Sequence, residues 1–432
     1  MNKNRVIKNA FWIIGIQIIK SVLSMVISML TARFLGPSNF GLINYAASIV
    51  AFVAPIMYLG LTGVLVQELI TNPEKEGQIL GTSVVLSFVS SLFCIGGVIG
   101  FAAVANHGEQ ETIIVCALYS SLLLFQSLEI IIYWFQAKLL SKYSSLISLF
   151  AYLAVSAYKI FLLATQKSVF WFAVSNAIDY MLIAVGLFAV YKRLGGKRLR
   201  FSVQTAKTLF SKSRYYIVSD MMITIFAHTD KIMLKLMIDE TATGYYSAAV
   251  TCAGVTGFVF AAIINSVRPM IFEYKKLDED KYKRSVISLY SIVTYASLLQ
   301  SVVFTVLAPV IIHILYGAKY INAIPVLQTL VWYSTFSYIG GARDIWILAE
   351  NKQKHLFVIN VVGAGLNVAL NYILIPVWGA CGAAVASLAT QFSINYVFIL
   401  LYRPTRENGI LQLKALNPRY LLDVFHTIKS RH

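Results

Sequence analysis

The stretch 10-AFWIIGIQIIKSVLSMVISML-30 decides the class of this protein. It is apolar throughout except for Gln17, Lys20 and three serines. A helix crossing the hydrocarbon core of a bilayer needs about 20 residues of this kind. A basic start followed by an apolar run also describes a cleaved leader. This run is too long for a leader's apolar core, carries Lys20 and has no small-residue cleavage pattern, so it reads as a retained first span.

Similar stretches recur outward from it. Twelve helices are expected near 10–32, 41–66, 79–104, 112–136, 143–165, 169–191, 215–238, 244–267, 286–315, 322–348, 355–376 and 379–402. The 432 residues are 58% hydrophobic and 13% charged, with a mean hydropathy of +0.72. A soluble globular chain is about 45–50% apolar and about 25% charged, so too little polar surface remains here to coat one. The expected class is an all-α integral membrane protein.

The second half of the chain echoes the first. The turn 34-FLGPSNFGLINYAAS-48 matches 237-MIDETATGYYSAAVT-251, with Gly41 falling on Gly244, and 136-QAKLLSKY-143 matches 348-LAENKQKH-355. Two six-helix lobes are therefore expected as parallel repeats, over 1–191 and 215–402. A linker at 192–214 and a basic tail at 403–432 complete the division.

Lys and Arg number 36 against 19 Asp and Glu, for a net charge of +17. With an even number of spans both termini share one side. An inside N-terminus puts 29 of the cations in inside segments and only Arg33, Lys167 and Lys319 outside. Positive loops resist translocation, so both termini are expected in the cytoplasm. The loop at 67–78, with Glu68, Glu74 and Glu76, fits that assignment poorly. The basic excess reads as topology and contact with anionic lipid, and nucleic acid is not an expected partner. In 192-KRLGGKRLRFSVQTAKTLFSKSR-214, Phe201, Val203, Leu209 and Phe210 interleave with Lys207 and Lys212, which suits a helix on the inner leaflet. The tail mixes Leu411, Leu413, Leu416, Tyr420, Leu421 and Phe425 with basic residues and reads either as a second such helix or as a solvated tail. The four cysteines, Cys94, Cys116, Cys252 and Cys381, sit in apolar segments as buried thiols, with no disulfide or metal pattern.

An ionisable group in hydrocarbon costs on the order of 3 kcal/mol and usually faces a cavity or a partner. On the seventh helix Asp220, Thr224, His228, Lys231 and Lys235 fall on one narrow stripe at about 100° per residue, with Asp230 beside it. On the first helix Gln17, Lys20, Ser21, Ser24, Ser28 and Thr31 share one face. Lys20, Ser24, His228, Lys231 and Lys235 are the expected lining of a hydrated cationic cavity, with helix-to-helix hydrogen bonding as the competing role of the serines. Arg268 and Arg343 add charge at the cytoplasmic mouth or serve as ordinary loop charge. Glu129, Asp179, Asp220 and Asp230 are candidates for ion coupling, because a carboxylate at low dielectric can hold a proton near neutral pH. Asp230 beside Lys231 and Asp344 beside Arg343 also read as neutralising pairs. Asn360, Asn367 and Asn371, and Gln391 and Asn395, line single faces suited to interhelical hydrogen bonds.

No nucleotide-binding loop, H-E-x-x-H or G-x-S-x-G is present, and the longest connection is about 25 residues. An enzyme is not expected, nor a cofactor or resident metal. A carrier is.

The segments 32-ARFLGPSNFGLINYAAS-48, 229-TDKIMLKLMIDETATGYYSAA-249, 268-RPMIFEYKK-276, 315-LYGAKYINAIPVLQTL-330 and 366-LNVALNYILIPVWGACGAAVAS-387 resemble, in order, the Wzx-type polysaccharide flippases of the multidrug/oligosaccharidyl-lipid/polysaccharide exporter superfamily. The resemblance implies two lobes around a central cavity with alternating access. It also implies export of undecaprenyl-diphosphate-linked oligosaccharide units, such as those of O-antigen, across the bacterial inner membrane. Its implied partners are that lipid-linked oligosaccharide, membrane lipids, and a polysaccharide polymerase and chain-length regulator. Twelve helices set the chain apart from peptidoglycan-precursor flippases, which look longer. A multidrug exporter of the same fold, or a membrane scaffold for polysaccharide assembly, is the alternative.

Overall fold

The computed structural model describes residues 3–420, which are helical with short turns and no strand among them. A helix running over Lys3–Met57 is broken at Gly36, whose φ of 76° no L-residue with a side chain adopts readily, giving α1 (3–35) and α2 (37–57). Next come α3 (Glu76–Ala105), α4 (110–137), α5 (Ser141–Ala164), α6 (Val169–Arg193) and α7 (Val203–Met237). The chain continues with α8 (240–277), α9 (Glu279–Tyr316) and α10 (Ala323–Ala349). A second break at Gly379 separates α11 (353–378) from α12 (380–401), and a short α13 (Arg406–Ala415) follows.

Among the described residues, eight helical stretches are long and apolar enough to cross a membrane, two of them folded at these glycines. The helices α7 and α10 fall outside that group; α7 is diluted by the charges that make it interesting. Large apolar side chains cover the outward faces, with Phe93 77% and Val104 80% exposed in α3 and Val306 71% exposed in α9. Apolar surface of that extent belongs in lipid.

The chain divides into two compact units at Leu236/Met237, so α7 groups with the first. In that unit Trp134 meets Tyr191 edge-on at 4.9 Å, within a core that includes Leu61, Leu65, Ile130 and Leu209. The linker differs from its expectation. Residues 194–195 form a turn, 196–202 have no regular structure, and the helix that starts at Val203 runs unbroken to Met237, so the helical part of the linker is the start of α7. No Gly or Pro interrupts 203–237, which is why it stays one helix. The irregular segment lies across the start of α3. The amide of Arg200 donates to the Gly77 carbonyl at 2.9 Å and that of Ser202 to Thr82 Oγ1 at 3.1 Å. A Cβ on Gly77 or Gly81 would collide with the backbone of Arg198 or Arg200. The acids of the 67–78 loop find their use here. Glu68 pairs with Lys212 at 2.5 Å, and Glu76 with Lys138 at 2.9 Å.

In the second unit Tyr282, Tyr290, Tyr316 and Trp346 are fully buried. The start of the tail docks on α9. Asn408 donates to the Tyr290 hydroxyl at 2.6 Å, the Tyr295 hydroxyl donates to the Leu416 carbonyl at 2.7 Å, and Leu411 is buried. A solvated tail is therefore wrong for 406–416, because its polar residues are spent on α9; Leu421 and Phe425 lie outside the described residues. The repeat is visible in backbone detail. Leu139 and Asn351 both have φ of 55°, and each is followed by the same tight bond, Leu140 amide to Phe135 carbonyl at 2.7 Å and Lys352 amide to Ile347 carbonyl at 2.9 Å.

Candidate functional site

Inside the first unit, four helices bring titratable groups together. The α4 helix tightens into a 3₁₀ turn at Glu129–Ile131, which begins at Glu129 in mid-helix. Lys20 on α1 interacts electrostatically with Glu129 and with Asp179 on α6, and its ammonium lies 5.6 Å from the ring centre of Tyr152 on α5. Ser24, one turn beyond Lys20, bonds to the same tyrosine. Lys159 on α5 donates to Asn176 at 3.3 Å and interacts with Asp179, whose Oδ1 is buried without a hydrogen-bond partner among the described residues. Lys20, Glu129, Tyr152, Lys159, Asn176 and Asp179 are half-buried, and Ser24 is exposed. Lys159 and Tyr152 lie on a polar stripe of α5 with Ser145, Ser148 and Ser156, and Asn176 lies three residues before Asp179 on α6; none of the three was among the expected site residues.

The α7 stripe divides along its length. At about 1.5 Å per residue, Asp220 and Lys231 are about 16 Å apart. Asp220 lies near Tyr133 of α4 and so adjoins the Lys20 group. His228 reaches Ser48 of α2 at 3.3 Å. Lys231 is half-buried and interacts with Asp230, which is 5% exposed, and with His228. Lys235 forms an ion pair with Glu109 at 2.8 Å. The single face read from periodicity is thus three neighbourhoods, and Lys235 is already neutralised.

The second unit holds Arg268 and Arg343. Arg268 is exposed, with its guanidinium 5.5 Å from the Phe272 ring centre. Arg343 is buried and fully engaged, donating to Asp344 at 2.7 and 3.0 Å and to Asn395 at 2.8 Å; Asn395 in turn donates to Gln391 at 2.7 Å. That is the paired reading of Arg343 and Asp344. Asn371 donates to Asn367 at 3.1 Å, and Asn367 to Ser387 at 3.3 Å, tying α11 to α12.

A family described as polysaccharide biosynthesis protein matches residues 6–275. A putative O-antigen transporter of Shigella flexneri is 23% identical over 88% of this chain and 94% of that protein. A probable low-salt glycan biosynthesis flippase, Agl15, of Haloferax volcanii is 25% identical over 52% of this chain. The chain spans about half the length of that protein, 48%, and 54% of an uncharacterized membrane protein of Methanocaldococcus jannaschii that it also matches. Among solved structures, a lipid II flippase, MurJ, in an inward closed conformation aligns with a TM-score of 0.74 at 14% identity, over 97% of this chain and 93% of that one. The shared fold covers nearly all of both chains, so length does not set this chain apart from it, contrary to expectation.

Proposed function

The chain belongs to the polysaccharide biosynthesis protein family, and on that premise we propose that it is a flippase moving a prenyl-diphosphate-linked oligosaccharide across the bacterial inner membrane. The carrying observation is the pair of half-buried lysines, Lys20 and Lys231, inside the unit that also gathers Glu129, Asp179, Asp220 and His228. An ammonium held in a bilayer-spanning unit is costly, and a diphosphate offsets that cost by charge-assisted hydrogen bonds of about 1.5–3 kcal/mol each. Lys20 and Lys231 meet the headgroup at two levels of its passage, with Ser24 and His228 as polar neighbours. Glu129 and Asp179 carry the coupling ion, since each interacts with Lys20, whose demand for a counter-charge changes as the diphosphate arrives and leaves; Asp220, near Tyr133, is a third carboxylate for that role. The units alternate access, both termini are cytoplasmic, and the 192–214 linker lies on the cytoplasmic side. A cationic drug would be repelled by Lys20 and Lys231, and a scaffold would leave them without a ligand.

The test is reconstitution of the full chain in phospholipid vesicles with a fluorescent short-chain prenyl-diphosphate oligosaccharide. A membrane-impermeant quencher should reach the outer-leaflet pool at once and the remaining pool at a protein-dependent rate. A remaining pool as protected as in protein-free vesicles would defeat the reading.

A further inference from the structure

Four tyrosines of the first unit interact with Glu129 or Asp179. Tyr133 follows Glu129 by four residues and shares its face of α4. Tyr58, at the end of α2, and Tyr180 on α6 also interact electrostatically with Glu129, while Tyr152 and Tyr180 do so with Asp179. The Tyr58 hydroxyl donates to the Gln126 carbonyl at 3.4 Å, fixing its ring over the 3₁₀ turn. All four rings are half-buried, in the interior of a unit whose outward surface is apolar. Tyr58, Tyr133 and Tyr180 pack partly against the apolar core, yet none is closed off as Phe135 and Phe172 are, at 0 and 1% exposed. Tyr58, Tyr133, Tyr152 and Tyr180 therefore keep ring surface open where Glu129 and Asp179 keep charge.

We propose that these tyrosines, with Glu129 and Asp179, form a carbohydrate subsite that holds the first sugar of the transported molecule. The inference rests on the flippase reading and names the part of the substrate that this side of the site takes. A pyranose ring has an apolar face of C–H bonds and a rim of hydroxyls. A tyrosine offers the matching pair, an apolar face and a polar tip, at little cost in side-chain entropy. Carboxylates accept from the hydroxyl rim, and such charge-assisted bonds are short and strong. The buried Asp179 Oδ1 has no donor among the described residues, and a sugar hydroxyl supplies one. Lys20 lies against Tyr152 and interacts with both carboxylates, so a diphosphate held by Lys20 leaves its attached sugar beside the rings.

The experiment measures binding of two probes to the purified full chain: a short-chain prenyl diphosphate, and the same molecule carrying one hexose. Wild type should bind the hexose-bearing probe more tightly. Tyr133→Leu and Tyr180→Leu should each weaken that probe by about threefold to tenfold and leave the bare diphosphate unchanged. Tyr133→Phe and Tyr180→Phe, which keep ring and volume, should lose less and hold the wild-type melting temperature. Equal affinity of the two probes for wild type, or parallel loss of both in the Phe variants, would overturn the subsite while leaving the flippase reading intact. Failure of wild type to bind even the bare diphosphate would instead overturn the flippase reading beneath it.

Discussion

The two units use one backbone plan and fill it differently. At the turn after α4 and the turn after α10 the chain makes the same left-handed residue and the same closing hydrogen bond, at Leu139 and Asn351. The charges there are rewired. Glu76 opens α3 and pairs with Lys138; the matching positions, 203 and 212 residues on, are Glu279 and Glu350, both acids. The second unit restores balance with Lys275, which bridges Glu350 at 2.7 Å and Glu279 at 3.1 Å. Deeper in, the contrast is larger. The first unit keeps half-buried lysines and carboxylates, whereas the second ties its interior with amides and one closed Arg343–Asp344–Asn395 set. A duplicated scaffold needs helix-to-helix bonds in both copies, and neutral amides provide them at modest cost. Half-buried lysines gathered with carboxylates in the first copy point to a ligand there.

That contrast can be broken most directly at Lys20 and Lys231. Lys20→Ala and Lys231→Ala should each cut transport of the lipid-linked oligosaccharide by at least about tenfold at normal membrane abundance, the loss of one charge-assisted hydrogen bond. Arg at either position should retain more activity than Gln. Because the two lysines lie in separate neighbourhoods, the double variant should show roughly the product of the single effects. A strongly sub-multiplicative result would mean that both hold one group at once.

Arg343→Ala, in the second unit, should act on stability instead. It strands the buried Asn395 and leaves Asp344 without its partner, a loss of about 2 kcal/mol given that Asp344 is half-exposed. The readout is a lower melting temperature with unchanged affinity for a prenyl diphosphate; a change in affinity alone would blur the division between the units.

Much of this was legible in the sequence. The long apolar helices, and helix ends close to Gly36 and Gly379, follow from apolar runs and turn residues, and the repeat is read from two short matches. The charges were harder. Periodicity placed Asp220, Lys231 and Lys235 on one face but cannot say how far apart along a helix their partners stand, so the pairing of Lys235 with Glu109, 126 residues away, was hidden. Lys159 was legible as a lysine within a span, but its partners Asn176 and Asp179, and the grouping of the four tyrosines, appear only once the helices are packed together. The linker misled because basic and aromatic residues alternate whether a segment lies on lipid or is threaded across α3.

The rewired turn offers a sharper, smaller test. Lys138→Glu should destabilise the first unit by about 1 kcal/mol by setting two acids together, since Lys138 is half-exposed. Adding Asn72→Lys, at the position equivalent to Lys275, should recover most of that loss. Absence of rescue, read by thermal melting, would weaken the equivalence of the two turns.

The smallest effect lies at Asp278, which caps α9 by accepting from the amides of Asp280 and Lys281 at 3.1 and 3.0 Å. Those bonds, with the Lys281 ammonium, hold its carboxyl below the usual aspartate value. Its contribution is therefore complete above the unfolded-state pKa and disappears as the pH falls through the lowered folded value. Asp278→Ala should slightly lower the melting temperature at neutral pH and make no difference in strong acid.

The central claim is that the half-open charges of the first unit bind the diphosphate while the closed charges of the second do not. Titration of a bare short-chain prenyl diphosphate into purified wild type, Lys20→Gln, Lys231→Gln and Arg343→Met tests it. The account predicts at least about tenfold weaker binding for each lysine variant and wild-type affinity for Arg343→Met. Wild-type affinity in both lysine variants, or a loss confined to Arg343→Met, would contradict it.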